Sequence, residues 1–259
     1  MKHASAAPGK YRHLAQQALF ASSNWAAALI VTYAVLLLVF TAGFFSDGIV
    51  YVLSLLYPVP EAVTAVLLLA RFLLLSPLFV GLLYYYTYLF RAANGDGPAH
   101  VPPSVIFSAY VSLSSVIRAW IQILYTLFLC ALIPASFVPL YFAGRRLLSA
   151  EAPLLSVLML LIGVLVFLSV LYLNARLTPA LFLSAHRPEL SFGDAVCRTW
   201  CLSQKAAVTG LLLQLGLMAA AVLSLFLTAG IVFFVYVLPI AVFTYIGYCH
   251  DLSRRSDLI

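Results

Sequence analysis

Charged residues are scarce in this chain. Asp, Glu, Lys and Arg together make up 8% of its 259 residues, whereas about 25% is usual in a soluble domain. Hydrophobic residues account for 64% of the sequence, and the mean hydropathy is +1.08. This composition excludes a soluble globular fold. It predicts an all-α polytopic membrane protein that forms a single membrane domain over residues 1–259.

Catalytic motifs are also missing. Only eight residues are Asp or Glu, most of them in predicted loops, so a pair of carboxylates for acid–base catalysis has no obvious position. The sequence has no nucleotide-binding glycine loop, no nucleophile beside a base and no HExxH-type pair. We therefore expect a protein that is not an enzyme and has no cofactor.

Cysteine is rare, with four residues in the chain, at positions 130, 197, 201 and 249. Their spacing does not resemble a secreted disulfide framework, and we expect them to be reduced. Cys197 and Cys201 stand one helical turn apart, and Cys249 precedes His250, so four zinc ligands could meet. The spacing matches no known zinc module, and we expect no metal site.

Basic residues outnumber acidic ones and give a net charge of +6. They concentrate at the ends of the apolar runs, as the positive-inside rule and attraction to anionic lipid require. We therefore expect the protein to contact membrane lipids with anionic headgroups and not to bind nucleic acid. A protein partner in the membrane is also possible. The candidate contacts to headgroups or a partner are Arg91, Arg118, Arg187, Arg198 and Lys205.

The apolar runs predict six transmembrane helices. The first four are expected at Asn24–Phe45, Glu61–Phe90, Ala119–Phe142 and Pro153–Ser184. The run 206–249 contains 44 residues without a charge, about twice the length of one span, and predicts a hairpin that turns at Thr228–Gly230. Six spans put both termini in the cytoplasm together with eleven of the 14 basic residues.

Prolines and turn-forming residues predict where these helices end or bend. Ser46–Pro60 lacks Lys and Arg and is expected to be an outer loop. Pro77 is expected to kink the second span, and Pro134 and Pro139 to interrupt the third. Arg145 and Arg146 are assigned to the next loop.

The same order of elements occurs three times, over residues 9–91, 101–188 and 190–251. Each unit has a short amphipathic interfacial helix, a span, an outer turn and a returning span that contains a proline. We therefore expect three hairpins related by a pseudo-threefold axis along the membrane normal.

The third interfacial element, Arg187–Lys205, has the clearest pattern, and we call it the elbow. Ser191, followed three residues later by Asp194, predicts a helix N-cap. Phe192 and Trp200 fall on its apolar face, as expected of a helix in the headgroup layer. We expect the elbow to set the depth and angle of the fifth span.

Arg71 is the one charge well inside a predicted span, about ten residues from its outer end. An ionic side chain in a membrane indicates a ligand or ion site, but a long side chain can also reach the outer interface or pair structurally. No acidic residue is predicted at its depth, which argues against a proton relay.

Further polar side chains occur near the inner ends of neighbouring spans. They could line an inner polar pocket for a ligand or ion, together with Arg198 and Lys205. Hydrogen bonds between helices, worth on the order of 1 kcal/mol each, are the interpretation that we favour. These side chains are Gln122, Asn174, Arg176 and Gln214.

Parts of the sequence resemble a bacterial integral membrane family known as domain of unknown function 975. The resemblance lies in Leu227–Ile231, Val237–Pro239 and Thr244–Tyr248, in Ser23–Trp25, in Pro77–Arg91 and in Ser191–Ser203. It covers nearly the whole chain and implies a multi-pass protein of the bacterial inner membrane. The family provides no activity, catalytic residue or cofactor to carry over.

Two functions follow from these features. The first is a non-enzymatic scaffold or accessory subunit of a membrane assembly, which contacts lipid or a partner through a basic cytoplasmic rim. The alternative is a small transporter or permease component for a lipid-like or hydrophobic solute, with a cavity at the repeat axis toward which Arg71 reaches. A continuous, water-accessible cavity lined by Arg71, Asn174 or Gln214 would favour the alternative, whereas a dry, closed packing of the six helices would contradict it.

Overall fold

The computed structural model describes residues 8–20, 24–57, 60–98, 100–148, 153–204, 206–227 and 232–256. Within these ranges the protein is all-helical, with nine α-helices and no strand. Six segments are long and apolar enough to cross a membrane, which is consistent with a multi-pass membrane protein. The prediction of six long apolar helices is therefore confirmed. The predicted turn at Thr228–Gly230 lies outside the described residues.

The helices follow one another along the chain with short connections. The α-helices are α1 (Pro8–Phe20), α2 (Asn24–Leu56), α3 (Glu61–Ala93), α4 (Leu113–Leu148), α5 (Pro153–Leu177), α6 (Pro179–His186), α7 (Phe192–Ser203), α8 (Ala207–Leu227) and α9 (Leu238–Ser256). A 3-10 helix, Pro103–Tyr110, precedes α4, and a π-helical segment, Phe233–Val237, precedes α9.

The predicted outer loop after the first span is wrong, because α2 continues through Asp47 and Gly48 to Leu56. A single glycine inside a helix costs only about 1 kcal/mol, and the apolar residues beyond Gly48 extend the same helix. Proline is the stronger breaker, since it disfavours helical geometry in the residue before it. The helix accordingly ends shortly before Pro58.

Prolines also affect the helices less than predicted. Pro134 and Pro139 lie inside the continuous helix α4, and Arg145 and Arg146 form its last turn rather than a loop. A proline removes one helical hydrogen bond. In an apolar environment the other backbone groups cannot bond to water, so their helical hydrogen bonds are retained and the helix continues. The fourth predicted span comprises α5 and α6, and Thr178 between them keeps helical backbone angles, so Leu154–His186 forms one apolar span.

The helices α3, α6 and α9 pack against one another at the centre of the protein. Aromatic rings fill this contact. The ring of Phe243 lies 5.5 Å from that of Tyr86 and 6.1 Å from that of Phe90, and Phe182 stacks on Tyr245 at 5.6 Å. Aromatic side chains therefore fill the contact between these three helices.

Three of the short helices pack against α3, α6 and α9. The 3-10 helix packs on α3, α7 on α6, and α1 on α9. The 3-10 helix approaches so closely that a Cβ atom at Gly81 would collide with the carbonyl oxygen of Ile106. Glycine is therefore required at this position of α3 for the two backbones to meet.

Pro77 leaves a backbone carbonyl of α3 without its helical donor, because proline has no N–H. The carbonyl concerned is that of Leu73, four residues earlier. The indole Nε1–H of Trp120, on α4, donates to it at 2.9 Å. A side chain from the next apolar helix thus replaces the missing backbone donor.

The same relationship occurs at Pro239. The residue four positions before it is Val235, and the indole Nε1–H of Trp25 donates to the Val235 carbonyl at 3.2 Å. Trp25 lies at the start of α2, just as Trp120 lies near the start of α4. The long helices α2 and α4, which each follow a short helix, therefore each provide a tryptophan that donates a hydrogen bond to the carbonyl left without a donor by a proline.

At Pro179 the arrangement differs. The released carbonyl is that of Ala175, and Gly210 of α8 packs close to it, because a Cβ atom on that glycine would lie 3.4 Å from the oxygen. A small residue therefore stands here in place of a tryptophan.

Candidate functional site

Arg71 reaches from α3 to the neighbouring helix α2. Its Nη1 atom lies 3.2 Å from Oδ1 of Asp47 and 3.3 Å from Oγ of Ser46. The prediction that no acidic residue lies at its depth is therefore wrong, because α2 remains helical and carries Asp47 alongside it. The Asp47 side chain is 70% exposed, and a pair of this kind contributes roughly 0–1 kcal/mol.

A cavity of about 460 Å³ opens beside Arg71, between α2, α3 and α4. We call it the Arg71 cavity. Its wall is almost entirely apolar and includes Val39, Leu68, Phe72, Leu75, Phe79 and Leu127. The volume falls within the 300–1,000 Å³ that is usual for small-molecule sites. The cavity thus combines a long apolar wall with one cationic group.

Two hydroxyl groups also line the Arg71 cavity, those of Ser76 and Thr126. The Thr126 hydroxyl donates to the carbonyl oxygen of Gln122 at 2.7 Å. The Oγ atom of Ser76 is buried and has no hydrogen-bond partner. A buried polar atom without a partner costs free energy.

Asn174 and Gln214 do not line the Arg71 cavity, and they form a buried hydrogen-bond network instead. Nδ2 of Asn174 donates to the Leu129 carbonyl at 2.9 Å, and its Oδ1 accepts from Nε2 of Gln214 at 3.0 Å. The Thr178 hydroxyl donates to the same Oδ1 at 2.8 Å. The network connects α4, α5 and α8, as expected if these amides join helices.

Arg176 holds the elbow against α5. Its guanidinium carbon lies 3.6 Å from the centre of the Trp200 ring, its Nη2 donates to the Trp200 carbonyl at 2.6 Å, and its Nε donates to Oγ of Ser203 at 3.3 Å. The residue is buried, with 7% of its surface exposed. Stacking and hydrogen bonds together make Arg176 a structural contact between α5 and α7.

The elbow itself begins as the sequence predicts. Ser191 is the N-cap of α7, and its hydroxyl oxygen accepts from the backbone N–H of Asp194 at 3.1 Å. Phe192 packs edge-on against Tyr125 of α4 at 5.1 Å. Trp200 is 43% exposed, although its ring also covers Arg176.

The cations predicted to contact headgroups have different surroundings. Arg118 donates to the carbonyls of Ser184 and Pro188, which ties the start of α4 to the end of α6. Arg187 is half-buried, whereas Arg198 is exposed on α7. Lys205 lies outside the described residues.

Arg91 lies at the end of α3, which finishes in a Schellman motif. The backbone N–H of Asp96 bonds to the Arg91 carbonyl at 2.9 Å, and that of Gly95 bonds to the Ala92 carbonyl at 3.2 Å. Gly95 has φ = 76°, a conformation that favours glycine. The motif turns Asp96 back across the end of the helix.

Asp96 then meets the end of α9. Its Oδ2 atom lies 3.0 Å from Nη2 of Arg254 and 3.4 Å from Nε2 of His250, while the rings of His250 and His186 meet edge to face at 5.2 Å. Sequence reasoning missed this cluster. The Asn-Gly-Asp sequence after α3 indicates a turn, but nothing in it identifies the partners of Asp96.

The cysteines do not form a cluster with the histidines. Cys249 is buried, with Sγ 3.7 Å from the Pro179 carbonyl, whereas Cys130, Cys197 and Cys201 are exposed. Among the described residues, no three His, Cys, Asp or Glu side chains could hold a metal ion.

Comparisons with known proteins found no matching family model, no matching curated protein and no matching solved structure. The chemistry of the site therefore has to be inferred from the chain itself. Of the sequence-predicted residues, only Arg71 borders the Arg71 cavity, and the described contacts of Asn174, Arg176 and Gln214 join helices. The cavity offers binding to a molecule that has both an apolar part and an anionic group.

Proposed function

We propose that the protein is a non-enzymatic membrane protein that binds an anionic, lipid-like amphiphile in the Arg71 cavity. The observation that carries this proposal is a cavity of about 460 Å³ with an apolar wall and a single guanidinium at its edge. An acyl or other apolar chain fits such a wall, and a carboxylate or phosphate fits Arg71. This site would serve a small transporter or permease component for a lipid-like solute.

The position of Arg71 leaves it able to bind a ligand. Its bonds to Ser46 and Asp47 both involve Nη1, and its carboxylate partner is mostly exposed. A ligand anion therefore competes with a weak interaction. A Cβ atom at Gly43 would lie 3.2 Å from Nη1 of Arg71, so the glycine leaves the space through which the guanidinium passes.

The proposed arrangement in the membrane is three hairpins, each preceded by a short interfacial helix, with both termini in the cytoplasm. The recurring contact of a short helix with α3, α6 or α9 supports this arrangement, as do the tryptophans at the carbonyls released by Pro77 and Pro239. Location in a bacterial inner membrane, and membership of the domain of unknown function 975 family, are parts of the same proposal.

A second candidate function is a scaffold or accessory subunit. It is supported by the exposed cation Arg198 on the elbow, next to the two exposed thiols of Cys197 and Cys201. In this alternative, the elbow contacts anionic headgroups or a partner protein, and the Arg71 cavity holds only bulk lipid.

Native mass spectrometry of the purified protein tests the amphiphile proposal. Palmitate and phosphatidylglycerol are the anionic probes, and phosphatidylcholine is the zwitterionic one. Arg71→Gln should weaken retention of one bound molecule of each anionic probe about tenfold, as expected for the loss of one charged hydrogen bond. Arg145→Gln is the matched control, since Arg145 is an exposed arginine at the end of another long apolar helix.

A second variant tests the apolar wall. Leu127→Trp puts a larger side chain at the edge of the cavity and should reduce retention of all three probes, whether or not they are charged. If Arg71→Gln and Arg145→Gln bind the anionic probes equally well, the Arg71 cavity is not the site. Loss of retention on Arg198→Gln alone would favour the scaffold alternative.

A further inference from the structure

A second cleft, unrelated to the Arg71 cavity, lies between α1, α8 and α9. It has a volume of about 240 Å³ and is bordered by Arg12, Leu212, Gly216, Ala220, Tyr236 and Ile240. We call it the Arg12 cleft. Its walls come from the two apolar helices that form the third predicted hairpin, and its one cation comes from the short helix α1.

Two features of the sequence keep the Arg12 cleft open. Gly216 and Ala220 are one helical turn apart on α8, and a Cβ atom added to Gly216 would meet no atom within 4 Å. On the opposite wall, Tyr236 and Val237 belong to the π-helical segment. A π-helical turn inserts one extra residue and is frequently found at functional sites. Small side chains on α8 thus face the π-helical segment that precedes α9.

The buried hydroxyl group inside the Arg12 cleft already has a hydrogen-bond partner. This hydroxyl, that of Thr244, donates to the Ile240 carbonyl at 2.6 Å. The Thr244 hydroxyl therefore has a partner without a ligand. An apolar chain can therefore occupy this cleft without leaving a polar atom unsatisfied.

The charge at the cleft determines which apolar molecule fits. Arg12 and Lys10 are both exposed on α1, and Arg12 borders the cleft itself. Anionic lipid attracts such cations near a membrane surface. We infer that the Arg12 cleft binds one anionic glycerophospholipid, with an acyl chain between α8 and α9 and the phosphate at Arg12.

The test measures phosphatidylglycerol and phosphatidylcholine binding to the full-length protein by native mass spectrometry. The wild-type protein should retain phosphatidylglycerol in preference to phosphatidylcholine. Arg12→Gln should weaken retention of one bound phosphatidylglycerol about fivefold, the effect expected for one cation at a lipid surface, and it should do so in the Arg71→Gln background as well. Lys10→Gln is the matched control and should have a smaller effect, since Lys10 does not border the cleft.

The acyl-chain contact is tested separately. Gly216→Phe fills the Arg12 cleft while leaving Arg12 in place, and it should reduce retention of phosphatidylglycerol by a similar factor. Gly144→Phe is its control, because a Cβ atom at Gly144 also meets nothing within 4 Å but lies in α4, away from the cleft. Thermal unfolding identifies any misfolded variant, and Gly216→Leu then replaces the phenylalanine variant.

Some outcomes would overturn the inference. Equal retention of the two lipids by the wild-type protein would show that Arg12 does not select an anion. Undiminished binding to Gly216→Phe would show that no chain enters the cleft. Because Arg71→Gln leaves the Arg12 cleft intact, failure of the Arg71 proposal leaves these expected results unchanged.

Discussion

The hydrogen bond from Trp120 to the carbonyl released by Pro77 should contribute measurably to stability. Trp120→Phe keeps an aromatic ring but removes the donor, so the Leu73 carbonyl loses the partner that is 2.9 Å away. Loss of a hydrogen bond between apolar helices costs about 1 kcal/mol. We expect the free energy of unfolding to fall by about this amount, in addition to the effect of the smaller ring.

A double-mutant cycle separates the hydrogen bond from the ring. Pro77→Ala restores a backbone N–H that can donate to the Leu73 carbonyl. In the Pro77→Ala background, Trp120→Phe should therefore cost about 1 kcal/mol less than in the wild-type protein. The measurement is reversible unfolding in mixed detergent micelles, followed by far-ultraviolet circular dichroism.

Trp200→Phe is the matched control for this cycle. It removes the same atoms from a tryptophan that stacks on Arg176 instead, so its cost should be the same with and without Pro77→Ala. An equal cost of Trp120→Phe in the two backgrounds would refute the reasoning. So would coupling of the same size between Pro77→Ala and Trp200→Phe, since no shared carbonyl connects that pair.

Three further contacts give testable outcomes. Arg176→Gln should lower the free energy of unfolding by about 2 kcal/mol, because it removes charged hydrogen bonds to the elbow. It should also speed amide hydrogen exchange in α7, and unchanged exchange there would contradict the structural role of Arg176. Asn174→Ala should lower the free energy of unfolding by about 1–2 kcal/mol, because Gln214 is left buried without its partner. A change near zero in the same unfolding assay would show that the two amides are not coupled. Asp96→Asn should cost less than about 1 kcal/mol, and only at low salt, because the side chain of its partner Arg254 is 65% exposed. A loss that persists in 1 M salt, measured by thermal unfolding, would exclude a screened ion pair.

Sequence reasoning succeeded where a local signal decides the structure. Long apolar runs predicted the six helices, and Ser191 with Asp194 predicted the start of α7. It failed at Ser46–Pro60, where Asp47 and Gly48 suggested a turn although the helix continues to Leu56. In an apolar chain, weak breakers do not outweigh the backbone hydrogen bonds that the helix provides.

Contacts between distant residues could not be predicted from one sequence. Asn174 and Gln214 are 40 residues apart, and Asp96 is 158 residues from Arg254. Nothing in the local pattern identifies such pairs, because any polar side chain near the same end of a span is a candidate. The tryptophans were the missed signal, since Trp25 and Trp120 each lie near the start of a helix that follows a short surface helix.

Arg71 and Arg176 were both predicted as candidate ligand residues, and their surroundings now distinguish them. Arg176 is 7% exposed, and its hydrogen bonds and its closer ring contact are directed at α7, so a ligand could reach it only by displacing the elbow. Arg71 has a side chain that is 33% exposed, an exposed carboxylate partner and an adjacent apolar cavity. A ligand anion therefore has to replace only a weak surface pair at Arg71, whereas at Arg176 it would have to replace buried charged hydrogen bonds. The difference in cost assigns ligand binding to Arg71 and structural support to Arg176.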